Sequence, residues 1–165
     1  MDTPSHPLIK VIGVGNAWRG DDAAGLLVAR LLQADHLPQV QISECLGTLS
    51  AIQAAWQDAA GVIVVDAVVS GGPLGTIHRF EAHDAGMPVQ LSRSPSSHGW
   101  GVAEALALGR VFQDLPPVLI LYGIEGKNFD PGHKVSPKVA AAIPAAAEMI
   151  RREILAWLER DAVGG

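Results

Sequence analysis

Short apolar runs rich in valine and isoleucine alternate along this chain with longer Ala/Leu segments, the pattern of a parallel sheet covered by helices on both faces. "LIKVIGV" (8–14) predicts the first strand, and "DDAAGLLVARLLQ" (21–33) a helix with its apolar stripe at Leu27, Leu31 and Ala34. "VQIS" (40–43) predicts the second strand, followed by a helix from Thr48 through Trp56. "GVIVVDAVV" (61–69) is an uninterrupted apolar run around one acid, as expected of a central strand buried on both faces. "GTIHRFEA" (75–82) alternates after a Gly-Gly-Pro turn and fits an edge strand, with antiparallel pairing open to it. "SSHGWGVAEALALGRVF" (96–112) predicts a Ser-capped helix, and "PPVLILYGI" (116–124) another buried strand. The last helix opens with Ser136 as cap and Pro137 at its first position. Pro144 is expected to kink or divide that helix, and the tail "DAVGG" to fray. No repeat or linker interrupts the sequence, so one domain is expected over 1–165, folded from about 7 to 160.

The first strand runs into "VIGVGNAWRGDDAAG" (11–25), where glycines at a strand-to-helix turn suggest a phosphate loop. Asp21 and Asp22 stand where the anion would go, and carboxylates there repel phosphate and attract cations. The dinucleotide fingerprint also needs a third glycine, and Trp18 holds that position; no Gly-Lys-Ser/Thr follows for a Walker loop. Glu44, at the end of the second strand, is the one feature that keeps a nucleotide reading open, as a mimic of the ribose-binding acid.

Asp22 after the first strand, Asp66 ending "VIVVD" and His98 opening a helix all fall where open α/β sheets bind ligands, at the carboxyl ends of strands. If they converge, two carboxylates and an imidazole leave open positions on a divalent ion, and the imidazole suits nickel, zinc or iron better than magnesium or calcium. A helix N-terminus nearby would favour ionised Asp22 and neutral His98. Each residue also has a plainer role. Asp21 or Asp22 reads equally well as a helix N-cap, in which case exchange for Asn costs only ~1 kcal/mol or less. His98 reads as a loop or cap histidine. Asp66 is harder to explain structurally, because an acid inside a buried strand loses solvation unless something pairs with it. Trp18 and Trp100 flank the proposed site as walls or as packing, whereas Trp56 and Trp157 read as helix-face core. His6, His36, His78, His83 and His133 lie in loops, at the start or by the edge strand, with weaker claims.

Composition narrows the setting. With 48% hydrophobic and 18% charged residues the chain is a folded protein with a real core. A net charge of -5 and no basic cluster argue against nucleic acid as a partner. "MDTPSHPLIK" lacks the features of a signal peptide and no run reaches the ~18 apolar residues of a membrane span, so no membrane partner and a cytoplasmic location are expected. The single cysteine, Cys45, has no disulfide partner and reads as buried apolar filler.

Taken together, "GVGNAWRGDDAAG", "VIVVDAV", "SSHGWGV", "LYGIEG" and "KVSPKVAAAI" resemble the motifs of the [NiFe]-hydrogenase maturation endopeptidases in order and spacing, over residues 9 to about 155. The resemblance implies a three-layer α/β/α sandwich with a mostly parallel central sheet. It implies a peptidase that trims the C-terminal extension from the precursor of the hydrogenase large subunit, with Asp22, Asp66 and His98 as the nickel-contacting positions. Many members carry Glu where this chain has Asp22, one methylene shorter; Asp-Asp also occurs in the family. The resemblance further implies that nickel arrives in the precursor, which agrees with the lack of a His-Glu-x-x-His pair or a Gly-x-Ser-x-Gly elbow. A nickel-checking chaperone or binding module using the same three residues without cleavage is the alternative.

Overall fold

The computed structural model describes residues 8–83 and 101–164. Within them a five-stranded sheet has the order β2-β1-β3-β5-β4, with β1 Ile9–Val14, β2 Val40–Cys45, β3 Gly61–Val68, β4 Ile77–Glu81 and β5 Val118–Glu125. The first three and β5 pair in parallel, and β4 runs antiparallel along the outer edge of β5, the geometry left open for it above. Every residue of β3 is buried, as its unbroken apolar run requires.

Among the described residues four α-helices cover the sheet: α1 Ala24–Gln33, α2 Leu49–Ala55, α3 Val102–Val111 and α4 Pro137–Val163. Strand alternation sends Val11, Ile63, Val65 and Tyr122 into one core, against Val28 and Leu32 of α1 and Ile143 and Ile150 of α4. It sends Ile12, Val62, Val64 and Leu121 into a second core, against Ile52 of α2 and Leu106 of α3. The result is a three-layer α/β/α sandwich. Truncation of a fully buried residue such as Ile63 to Ala costs about 2–5 kcal/mol in a core of this kind.

Two helices differ from expectation. The buried face of α1 is Ala24, Gly25, Leu26, Val28, Ala29 and Leu32, whereas Leu31 and Ala34 are exposed and Leu27 only half-buried. The stripe is rotated because α1 starts at Ala24, after a separate 3-10 turn over Gly20–Ala23, and the small residues Gly25 and Ala29 face the sheet. A Cβ on Gly25 would lie 2.3 Å from the Val65 carbonyl oxygen and 2.5 Å from that of Val14, so this glycine serves close helix-to-sheet packing. The last helix is not divided at Pro144 and stays helical through Val163. Pro144 and Ala140, whose carbonyl loses its helical donor, both lie on the exposed face where water can serve, while Val139, Ile143, Ala147 and Ile150 hold the buried face together.

The strand order reverses direction between β1 and β3, from which the chain winds outward to β2 on one side and to β5 on the other. In open α/β sheets the crevice at such a switch point, at the carboxyl ends of the strands, is the place for a ligand.

Candidate active site

Asp22 and Asp66 flank that crevice. Asp22 sits in the 3-10 turn that follows β1, and Asp66 near the carboxyl end of β3, on the same strand face as Val62 and Val64. Both are buried. Burial holds the Asp66 carboxyl well above the ordinary range, the charge of Asp22 adds to the rise, and a hydrogen bond from the Ala67 backbone opposes both without offsetting them. Asp22 is also raised, by burial, against the opposing effects of the Arg19 guanidinium and the Asn16 backbone. The expected helix-dipole preference for an ionised Asp22 is therefore outweighed by its desolvation. The two acids form a pair that resists carrying two negative charges until a cation joins them.

Cys45 ends β2 beside this pair. Its thiol is pushed up to about 11, first by burial and then by the Asp66 carboxylate, so at neutral pH it is a thiol and not a nucleophile. It is half-buried rather than enclosed, because β2 is an edge strand. His98, Trp100 and His6 lie outside the described residues, and the expected Ser cap of α3 is corrected, because the helix starts only at Val102. Gly101 caps α3, and its N–H donates to Glu104 Oε2 at 2.8 Å. Among the described residues no three His, Cys, Asp or Glu side chains gather in metal-binding geometry.

Asp21, next to Asp22, is neither a helix cap nor a ligand candidate. The residues at the cap positions of the 3-10 turn and of α1 are Arg19 and Ala23, which corrects the capping expectation for both acids. The Asp21 carboxylate is fully buried and accepts four hydrogen bonds from the loop before α4. Lys127 N, Asn128 N and Ser136 Oγ reach Oδ2 at 2.9, 3.0 and 2.8 Å, and Ser136 N reaches Oδ1 at 2.7 Å. Burial pushes its pKa up, but these bonds outweigh it and the net shift is downward. The same loop takes hold of the turn again through Asp21 N to Asn128 O at 2.8 Å and Arg19 Nε to Phe129 O at 3.1 Å. Ser136 is at the expected cap position of α4, yet its hydroxyl donates to Asp21 and not to its own helix.

Glu125 plays a similar part after β3. Ser70 N, Gly71 N, Ser70 Oγ and His78 Nε2 surround its carboxylate at 2.8, 3.1, 2.7 and 3.1 Å, so this buried acid ties down the loop that leaves the Asp66 strand. Neither role was read from the sequence; the available signal was an acid ending the apolar run "VLILYGIE" and a second acid beside Asp22. The other histidines go elsewhere: His83 Nε2 contacts the Pro116 carbonyl, and His133 pairs with the Asn128 amide. Glu44 is paired with Arg30 at 2.9 Å. A hollow of about 660 Å³, bordered by Ile9, Gly61, Val118 and Trp157, opens at the opposite, amino ends of the strands.

Fold and site thus define an α/β protein with a buried acid pair at the β1/β3 switch point. Residues 30–153 match the hydrogenase maturation protease family model, and the chain belongs to that family. It is 31% identical over 149 residues to the hydrogenase expression/formation protein HupD of Thiocapsa roseopersicina, a match covering 88% of this chain and 66% of that one, just under two thirds of its length. It is 27% identical to the hydrogenase 2 maturation protease of Escherichia coli, over 86% of this chain and 87% of the relative. The solved hydrogenase maturating endopeptidase HybD of Escherichia coli superposes with a TM-score of 0.73 at 26% identity, covering 87% of this chain and 89% of that structure.

Proposed function

We propose that this protein is an endopeptidase that removes the C-terminal extension of a [NiFe]-hydrogenase large-subunit precursor after nickel insertion, acting in the cytoplasm. Asp22, Asp66 and His98 contact nickel that the precursor itself carries. The observation that supports this reading best is the buried Asp22–Asp66 pair, whose mutual repulsion and desolvation are relieved by a divalent cation. Two acids and one imidazole, with no cysteine cluster, hold such an ion weakly until the substrate's own ligands share it. The protein supplies no thiolate at neutral pH for covalent attack, since Cys45 is held protonated. The metal therefore serves both as the sign that insertion is complete and as the group that brings the scissile bond to the acids.

Mass measurement tests this directly. A nickel-loaded precursor incubated with the protein should lose one defined C-terminal peptide, and the metal-free precursor should not. An unchanged mass in both would favour the chaperone reading, and equal cleavage of both would refute nickel dependence. Asp22→Asn should fold normally and slow cleavage about 100-fold or more, because an amide is a poor ligand for a divalent ion. Wild-type rates in that variant would remove Asp22 from the site.

A further inference from the structure

We infer that Arg19 is a specificity-determining residue: its guanidinium, fixed beside Asp22, keeps the acid pair from holding a free divalent ion and so reserves the site for nickel that the precursor carries. The inference rests on the proposed peptidase function. Arg19 and Asp22 are the two ends of one hydrogen-bonded turn, with Asp22 N donating to the Arg19 carbonyl at 3.1 Å. Such a turn brings its end Cα atoms within about 7 Å of each other. The near end is fixed as well, since Arg19 N donates to the Asn16 carbonyl at 3.2 Å.

The Arg19 side chain is part-buried and held against the turn. Its Nε donates to the Phe129 carbonyl at 3.1 Å, and the preceding carbonyl, Asn128 O, accepts from Asp21 N at 2.8 Å inside the same turn. One loop therefore holds both the guanidinium and the backbone that separates it from Asp22. Burial raises the Asp22 carboxyl, and the charge of Arg19 is the foremost influence opposing that rise. A divalent ion seated on Asp22 carries twice the charge of a proton and the same sign as the guanidinium. At equal distance, Arg19 thus opposes the ion about twice as strongly as it opposes protonation. Arginine stays charged at every working pH, so the repulsion cannot be titrated away. Free nickel would face it with only the two acids and one imidazole for ligands. Nickel inside the precursor faces the same repulsion, but there the precursor's own ligands already hold the ion.

The test is calorimetric titration of nickel chloride into the metal-free protein at pH 7.5 and fixed ionic strength. Wild type, Arg19→Gln, Arg19→Lys and the double variant Arg19→Gln/Asp22→Asn are compared, with Arg19→Met as the neutral variant should Arg19→Gln fail to fold. Arg19→Gln should bind nickel about tenfold more tightly than wild type, and Arg19→Lys, which keeps the charge, should stay within about threefold of wild type. The double variant should lose the gain. Processing gives a second readout: free nickel should inhibit cleavage of the nickel-loaded precursor by Arg19→Gln at about a tenth of the concentration that inhibits wild type. Unchanged or weaker nickel affinity in the neutral variant, equal tightening in Arg19→Lys, or a gain that survives Asp22→Asn would overturn the inference. Absence of cleavage by wild type would count against the peptidase reading instead, and the calorimetry would still decide the role of Arg19.

Discussion

Asp21→Asn is nearly isosteric, yet the structure makes it a severe change. The carboxylate accepts four hydrogen bonds, three on Oδ2 and one on Oδ1, with no exposed surface. An amide has one acceptor oxygen. Turned toward the three-donor side, it keeps those bonds without the charge and points its NH2 at Ser136 N. That buried N–H is then left without an acceptor, at a cost of about 1–3 kcal/mol, and each neutralised bond weakens by roughly 1 kcal/mol. Asn is cheaper to desolvate than a carboxylate, which returns part of the loss, so about 3 kcal/mol of destabilisation is expected. In a protein of this size that lowers Tm by roughly 6–12 °C. Urea unfolding of wild type, Asp21→Asn and Asp22→Asn gives the comparison, with Asp22→Asn close to wild type or above it. Because the folded-state pKa of Asp21 is depressed, its contribution is complete above the ordinary carboxylate range and fades as pH falls through and below it. The Asp21→Asn and wild-type curves should therefore converge in acid. A loss under about 1 kcal/mol at pH 7 would mean that Asp21 is an ordinary turn residue and that the four bonds do not hold the site together.

Asp66→Asn should have the opposite signature, stopping cleavage while raising Tm at pH 7 to 8. Its folded-state pKa is raised, so wild type loses stability as pH climbs from the ordinary carboxylate range through the folded value, a loss the amide does not share. The Tm difference should shrink toward acid pH, and a lower Tm for the variant at pH 7 would contradict the desolvated-pair description. Cys45, with its thiol near 11, should alkylate slowly with iodoacetamide at pH 7.5, and Cys45→Ala should cleave at close to the wild-type rate; loss of activity would point to a thiol-dependent step. NAD and ATP at millimolar concentration should give no saturable heat in calorimetry, because Glu44 is engaged by Arg30 and the turn carries acids where phosphates would sit.

Strand identities were legible because burial on both faces writes itself as unbroken valine and isoleucine: β3 and β5 lie where "GVIVVDAVV" and "PPVLILYGI" place them, within a residue or two. The position of Asp66 at the carboxyl end of a central strand was legible for the same reason. The start of α1 was not, since "GDDAAG" reads as the first turn of one helix, whereas residues 20–23 form a separate 3-10 turn hydrogen-bonded to residues 127, 128 and 136, over a hundred positions away. Pro144 misled because local propensity says nothing about which side of a helix faces water. Glu125 and Asp21 were missed for a related reason. Their partners are backbone N–H groups, which every residue type carries and no composition reveals.

The two adjacent acids take opposite roles because of the helix type that carries them. In a 3-10 turn successive side chains are separated by a third of a revolution, so Asp21 and Asp22 cannot share a direction. One enters the 126–136 loop and the other faces the sheet end. Asp21 then supplies what Asp22 needs, a turn fixed by four bonds to a carboxylate that stays ionised, so that an acid with a raised pKa is held beside Asp66 despite the repulsion between them. Gly126 completes the arrangement: a Cβ there would lie 3.0 Å from that of Asp21 and 2.8 Å from the Phe129 ring, so a side chain would push the loop off the turn. The protein holds one carboxylate with its pKa lowered and the next with its pKa raised, and only the second is left with something to gain from an arriving cation.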